Sequence, residues 1–374
     1  MVLIPNTNIV VDGFKHSAEL ENPFYVFFLT HMHSDHYQGL SPSWNRGPIY
    51  CSPPTALMLH DRFPDIPNIF ALEIGETHWV PLNTQKSKGV NVTFIDANHC
   101  IGAVMILFQG EMGTVLHTGD FRYIPSMLEH PALLDSSGQA ITINHLFLDN
   151  TFCSPEYNFP PREVCTQMII DAIDENPESD IWLAIENFGR EHLLIDLSLH
   201  FNTRIVVNQS MFNRIQLLNV RPDLFSTNEE DGWIHVVSKA EMKNIIPRNK
   251  EGSSTIGIFL SGWYKYYSKD GKYFYKVPYS LHSNYYEMQT FVEKINPQKL
   301  TYVAVCSMSL KGTFELMNMV MKDKEIKDAP LQELDLQPPI KRKAGNPGKA
   351  CLKKVKRPKF IGSRITSAEP PSGE

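Results

Sequence analysis

Residues 30–36 read THMHSDH, which sets His31, His33, Asp35 and His36 within six positions. Imidazole and carboxylate groups at that density suit a zinc, iron or manganese ion, and no thiolate is needed. His31 and His33 are two apart, so in extended chain both rings project to one side. Asp35 and His36 fall where the chain turns and can face a second point. The tetrad follows the apolar run YVFFL (25–29), which has the unbroken hydrophobicity of a buried parallel strand. It therefore stands where a strand ends, the place where open α/β sheets build their sites.

The stretch DANHCIGAVMILFQGEMGTVLHTGDF (96–121) supplies more donors of the same kind. His99 precedes an apolar strand over 103–108, QGEMG is a turn, and the returning run TVLHTGD ends at Asp120. An antiparallel hairpin brings its entry and exit to one edge of a sheet. His99 and Asp120 are thus expected to be neighbours, completing a three-histidine, one-carboxylate set with His31 and His33. Asp120 could bridge to a second ion held by Asp35 and His36. Asp12 closes the run NIVVD and could support a ligand histidine from behind. Asp149, in FLDNT, ends another strand. His117, short of Asp120, reads as structural.

Composition narrows the alternatives. The chain has 374 residues, 42 % of them apolar, enough for two domains and a large core. Its start lacks a basic region and a small-residue cleavage site, so no secretory signal is expected. No apolar run approaches the ~20 residues of a membrane span, and no membrane partner is expected. Six scattered cysteines without a CxxC pair point to a reduced, intracellular protein. The net charge of −6 conceals an asymmetry: ten Lys or Arg and no acid lie between Ile340 and Ala368, while residues 1–340 carry 25 bases and 39 acids, a formal −14. An acidic body is not that of a purely electrostatic nucleic-acid binder. Nucleic-acid contact would have to be local, or helped by metal and tail.

The elements that must position these residues follow from periodicity. Up to about residue 150, short apolar runs alternate with turn signals: NIVVD, YVFFL, GPIYC, VNVTFIDA, AVMILF, TVLHTGD and HLFLDN. They predict layered sheets with helices outside. Residues 161–177 have helical periodicity bounded by proline. Strand and helix then alternate through IWLAIENF, REHLLIDLSLHF, TRIVVN, TIGIFLS, YFYKVPYS and LHSNYYEMQTFVEKI, the pattern of a second α/β region. From about Lys322 the chain reads as linker and basic tail. No internal repeat is visible.

These motifs carry a resemblance. THMHSDH, DANHC, TGDFR, LDNTFCSP and PYSLHSNYYEM are similar to those of the metallo-β-lactamase fold with a β-CASP insertion, and within it to the DNA cross-link repair nuclease group, its 5′ exonuclease branch above all. The likeness runs over about residues 2–306. It implies an αββα sandwich divided as follows: residues 1–154 as its first part, 155–280 as the inserted β-CASP domain, 281–321 as the return, and 322–374 as linker and tail. By that resemblance His31, His33, His99 and Asp120 hold one metal, and Asp35, His36, Asp120 and His282 a second, with zinc as the expected ion and manganese or magnesium as substitutes. Asp149 matches the acidic β-CASP position. No histidine follows His282, whereas RNA-processing relatives carry one near the position of YVAV (302–305). Leu281 replaces an acid usual in the group, HSN replaces HSS, HCIG replaces HCPG, and Arg190 in FGRE replaces a lysine while keeping its charge.

The implied function is metal-assisted hydrolysis of DNA phosphodiesters from a 5′ end, in cross-link repair and at telomere ends, with DNA-repair or telomere proteins as partners. Asp35 is the candidate for orienting or deprotonating the attacking water. Asp35, His36, Asp120, Asp149 and His282 form the expected catalytic set. Arg190 at a predicted helix start, with the hydroxyls of Thr151 and Ser283, is expected to hold a terminal 5′-phosphate. The rivals are an RNA-processing endonuclease, a small-ester hydrolase of the same fold and a non-catalytic DNA-repair scaffold. The clusters KRK (341–343) and KKVKRPK (353–359) have the layout of a bipartite nuclear import signal, so the nucleus is the expected location.

Overall fold

All seven apolar runs quoted from the first 150 residues form strands, and their alternation explains how they stack. The computed structural model describes residues 2–15, 17, 20, 24–242, 254–264, 267–270, 273–303 and 316. A first sheet runs β1 (Val2–Leu3), β2 (Ile9–Val11), β3 (Val26–Phe28), β4 (Ile49–Cys51) and β5 (Ile69–Ala71), in that order. All its pairings are parallel except β1 with β2. A second sheet has the order β18 (Leu300–Tyr302), β10 (His145–Leu148), β9 (Gly113–His117), β8 (Val104–Gly110), β7 (Gly89–Asp96) and β6 (Thr77–Pro81).

The period of two in a strand sends alternate side chains to opposite faces, and in β8 both faces are buried. Val104, Ile106 and Phe108 join the core between the two sheets, where Phe28 packs edge-on to Phe108 with centroids 5.0 Å apart. Met105 and Leu107 face the other way, into a core closed by Tyr285, Met288, Phe291 and Val292 of helix α6 (Tyr285–Ile295). The outer face of the first sheet is closed by Ala56 and Leu59 of helix α1 (Pro53–Arg62). The layers are therefore helix, sheet, sheet, helix, as expected. Phe28 is fully buried between the sheets, and truncating such a side chain to Ala costs about 3–5 kcal/mol.

A third sheet lies between β10 and α6 in sequence. Its order is β13 (Phe225–Ser226), β12 (Ile205–Val206), β14 (Ile234–Val237), β11 (Ser179–Ala184), β15 (Ser254–Leu260), β17 (Phe274–Val277) and β16 (Ser268–Asp270). Its pairings are parallel except β16 with β17. Helices α2 (Arg162–Asp174) and α3 (Glu191–Phe201) share its core, and α4 (Gln209–Leu217) adds Ile215 to it. A single turn, α5 (Lys239–Met242), contributes Met242 to a small cluster with Ala184.

Residues 327–374, with the basic clusters, lie outside the described residues, as do Ala304 and Val305 of YVAV. Among the described residues no helix is long and apolar enough to cross a membrane.

Candidate metal centre and its cleft

The tetrad begins where β3 ends. Asp12, just past β2, receives the Thr30 backbone N–H on Oδ1 at 2.9 Å and the Thr30 hydroxyl on Oδ2 at 2.8 Å. Asp120 arrives on the turn after β9, held close to Thr30 by Gly119. At φ +54° that glycine leaves no room for a Cβ, which would stand 2.9 Å from the Thr30 Cβ. His117 shapes the same turn by accepting the Gly119 N–H on Nδ1 at 3.0 Å. It is fully buried, its ring lines the cleft, and Nε2 has no hydrogen-bond partner among the described residues.

Four donor atoms converge. His31 Nε2 and His33 Nδ1 are 3.0 Å apart, His33 Nδ1 and His99 Nε2 are 3.1 Å apart, and Asp120 Oδ2 is 3.7 Å from both His31 Nε2 and His99 Nε2. A tetrahedral ion with bonds of about 2.0–2.1 Å has donor–donor edges of about 3.3 Å, so the set has the spacing of a metal's ligands. Asp120 Oδ2 also lies 3.3 Å from His36 Nε2 and 3.9 Å from His282 Nε2, and Asp35 Oδ2 is 3.7 Å from His36 Nε2. A second ion could share Asp120 among these groups. Asp35 is the outlying member, with its carboxylate largely exposed.

The far nitrogen of each histidine fixes which nitrogen faces the cluster. His31 Nδ1 is 3.0 Å from the Thr30 hydroxyl, His36 Nδ1 is 2.7 Å from Asp12 Oδ2, and His33 Nε2 is 2.7 Å from the Phe188 carbonyl. His99 Nδ1 is 3.0 Å from the Leu281 carbonyl and His282 Nδ1 is 2.8 Å from Asp149 Oδ2. With the far N–H donating to oxygen in each case, the near nitrogen presents a lone pair, the arrangement found behind metal-ligating histidines. Asp12 thus stands behind the His36 ring. Asp149 stands behind His282, its Oδ1 accepting the Thr151 N–H and hydroxyl.

The electrostatics agree for His31, His33 and His99, whereas at His36 and His282 the adjacent carboxylates favour the positive charge that an ion would supply. Burial, reinforced by the neighbouring rings, holds His31 and His99 well below the ordinary histidine value, and burial lowers His33 as well. These rings are neutral and able to ligate. Burial opposes the charged form of His36, but Asp120 and Asp12 outweigh it and push its pKa well up. Burial likewise opposes the Asp120 carboxylate, and the adjacent His36 and His282 outweigh it in turn. A carboxylate kept ionised among that many nitrogens is itself suited to a shared cation.

The groups expected to hold phosphate divide. Arg190 and Thr151 line the same 470 Å³ cleft as His33 and His282. Arg190 Nε is buried without a hydrogen-bond partner. Ser283 departs from expectation: it is 1 % exposed, its hydroxyl donates to the Phe121 carbonyl at 3.1 Å and accepts the Tyr123 N–H at 2.9 Å. Standing next to His282 in sequence, it points the other way and pins the chain behind the site.

Two arginines that no local pattern singles out hold the segment carrying His282. Arg122, 2 % exposed, donates to the carbonyls of Ser280 and His282 at 3.2 and 3.4 Å, and to Glu287 Oε1 at 2.9 Å. Glu287 at the same time completes the capping box of α6, accepting the Asn284 N–H at 2.9 Å. Arg162, the first residue of α2, donates to the carbonyls of Ser280, Leu281 and Asn98. It ties the approach to His99 to the approach to His282. The Leu281 backbone supports His99 through its carbonyl.

Comparison with known proteins gives this architecture its class. Residues 14–167 match the family model described as a beta-lactamase superfamily domain, and residues 206–306 match the one described as DNA repair metallo-beta-lactamase. The chain thus carries a beta-lactamase superfamily domain and a DNA repair metallo-beta-lactamase domain. It is 42 % identical over 298 residues to the mouse 5′ exonuclease Apollo, covering 79 % of this chain and 53 % of that protein. It is 40 % identical over 299 residues to the chicken 5′ exonuclease Apollo, covering 79 % and 61 %. Against the human DNA cross-link repair 1A protein the identity is 33 % over 324 residues, 79 % of this chain and 29 % of that one. The chain thus spans about half the length of the Apollo proteins it matches. A structure of a protein of unknown function from Enterococcus faecalis V583 has the same fold, with a TM-score of 0.51 at 16 % identity over 76 % of this chain and 77 % of that one.

Proposed function

We propose that the protein is a metal-dependent 5′-to-3′ DNA exonuclease that hydrolyses phosphodiester bonds in the repair of DNA, interstrand cross-links included. The observation that carries this reading is the arrangement of five histidines whose far nitrogens are all bonded to oxygen, with Asp120 among them and an unpaired arginine nitrogen in the same cleft. The names of its relatives favour DNA and a 5′ end.

His31, His33, His99 and Asp120 would hold one ion, and Asp35, His36, Asp120 and His282 a second. Zinc suits this nitrogen and oxygen donor set, with manganese or magnesium as substitutes. Such an ion supplies Lewis acidity, lowering the pKa of water from about 15.7 toward neutrality and drawing charge from phosphate oxygens. Around it, the chain's own residues divide the remaining work. Asp35, exposed at the cleft, orients the attacking water and accepts its proton on a carboxylate oxygen. Asp149 fixes the His282 ring, as Asp12 fixes that of His36. Arg190 holds the terminal 5′-phosphate, with Thr151 in the same cleft; the α3 N-terminus expected to help is taken by the buried Glu191 carboxylate, which accepts the Gly189 N–H.

The proposed division of the chain remains 1–154, 155–280 and 281–321, followed by a tail from 322. The tail would direct the protein to the nucleus, where DNA-repair or telomere proteins would be its partners. Deleting residues 340–374 tests that part, since an unchanged nuclear distribution would remove it.

The end preference tests the pocket. DNA with a 5′-phosphate should be degraded much faster than DNA with a 5′-hydroxyl, and Arg190→Ala should erase most of the difference. A charge-assisted bond is worth roughly 1.5–3 kcal/mol, or on the order of 10- to 150-fold in rate. Equal wild-type rates on both ends would overturn the phosphate pocket and leave the metal reading to its own test.

A further inference from the structure

Trp263 is an exposed tryptophan inside the cleft. It keeps 47 % of its surface open while lining the same wall as His33, Arg190 and His282. Trp79 is exposed to a similar degree, but it lies on edge strand β6 over Gly89 and does not line the cleft. Isolated exposed apolar residues are ordinary on a surface. An indole held open beside titratable groups and an arginine whose Nε has no hydrogen-bond partner among the described residues is not ordinary.

Its seat is rigid. Trp263 meets Phe152 at 4.7 Å between centroids with planes at 60°, and Tyr157 at 5.4 Å with planes at 89°. Both of those rings are buried. Gly262 makes the approach possible, since a Cβ there would fall 2.7 Å from the Phe152 ring. Phe152 in turn lies 6.0 Å from the His282 ring. A single buried ring therefore separates the open indole from the donor cluster.

We infer that Trp263 is a stacking platform for the base of the 5′-terminal nucleotide, held between the Arg190 pocket and the metal donors. The inference rests on the nuclease reading and adds to it a base-binding residue. The cleft that holds this flat exposed ring also presents Arg190, Lys239, Thr151 and Ser261, a combination that suits a ligand that is itself a charged backbone carrying flat rings. Every base has a π-face, so such a platform binds without choosing sequence. That is what an enzyme working inward from any end requires. Fixing the terminal base would fix the direction in which the following phosphodiester enters the cluster.

The test compares two 5′-phosphorylated single strands, one ordinary and one whose 5′-terminal nucleotide carries no base, with wild-type, Trp263→Ala and Trp263→Phe full-length protein. Loss of one stacked base lowers kcat/KM on the order of 10-fold. The wild type should lose about that much on the baseless end. Trp263→Ala should lose it on the ordinary end and nothing further on the baseless one, and Trp263→Phe should keep most of the wild-type rate. Equal wild-type rates on the two strands overturn the platform without any substituted protein. So do Trp263→Ala losses that multiply with those of the baseless end. A wild type that cuts neither strand overturns the nuclease reading and the platform together.

Discussion

His282 Nδ1 lies 2.8 Å from Asp149 Oδ2, and that contact turns Nε2 toward Asp120, 3.9 Å away. Asp149 is itself 2 % exposed, so it acts on the cleft through the ring it holds. Asp149→Ala should therefore lower metal content and nuclease rate together, by about 10- to 100-fold, the usual effect of removing a group behind a ligand. Metal analysis by plasma mass spectrometry beside a rate measurement checks this. Wild-type metal content in the variant would return Asp149 to a purely structural place.

The Arg122–Glu287 pair, with Nη2 and Oε1 2.9 Å apart, joins the His282 segment to the capping box of α6. Arg122 is buried, so deleting it leaves the Glu287 carboxylate without its ion-pair partner and takes a charged donor from the carbonyls of Ser280 and His282. Arg122→Ala should destabilise the fold by about 3–5 kcal/mol, read from urea denaturation. A loss below about 1 kcal/mol would mean that the segment is held by other contacts.

His117 gives a prediction in pH. Burial lowers its pKa to about 4, below the ordinary histidine value of about 6.5. Between those values the unfolded chain takes up a proton that the folded chain refuses, so stability falls as pH falls from about 6.5 toward 4. His117→Asn removes that proton. Its Oδ1 is placed to accept the Gly119 N–H in place of Nδ1. The stability of the variant should fall less steeply through the window, by up to about 1.4 kcal/mol per pH unit. Parallel curves for the two proteins would show that His117 is protonated alike in both states.

Strands and donors were legible because each is written locally. The run VMILF over 104–108 declares a strand buried on both faces, and THMHSDH declares its donors by type and spacing. Asp12 was legible because it closes a strand beside the one that ends at the tetrad. Arg122 and Arg162 were not, since their partners lie up to 165 positions away and are mostly backbone carbonyls, which every residue has. Ser283 misled because adjacency to His282 says nothing of direction. Its hydroxyl faces the Phe121 and Tyr123 backbone. Trp263 follows a Ser-Gly turn with no periodicity to mark it. Its meaning comes only from Phe152 and Tyr157, which the fold brings beneath it.

The most direct test of the account is nuclease activity on 5′-phosphorylated, 3′-labelled DNA as metal is removed and returned. Protein stripped by chelation should lose cutting. Returning zinc or manganese should restore stepwise shortening from the 5′ end in the wild type, and neither should restore it in His33→Ala. Undiminished cutting by protein shown to be metal-free, or by His33→Ala, would contradict the central claim that the histidine and aspartate cluster is a metal-dependent nuclease centre.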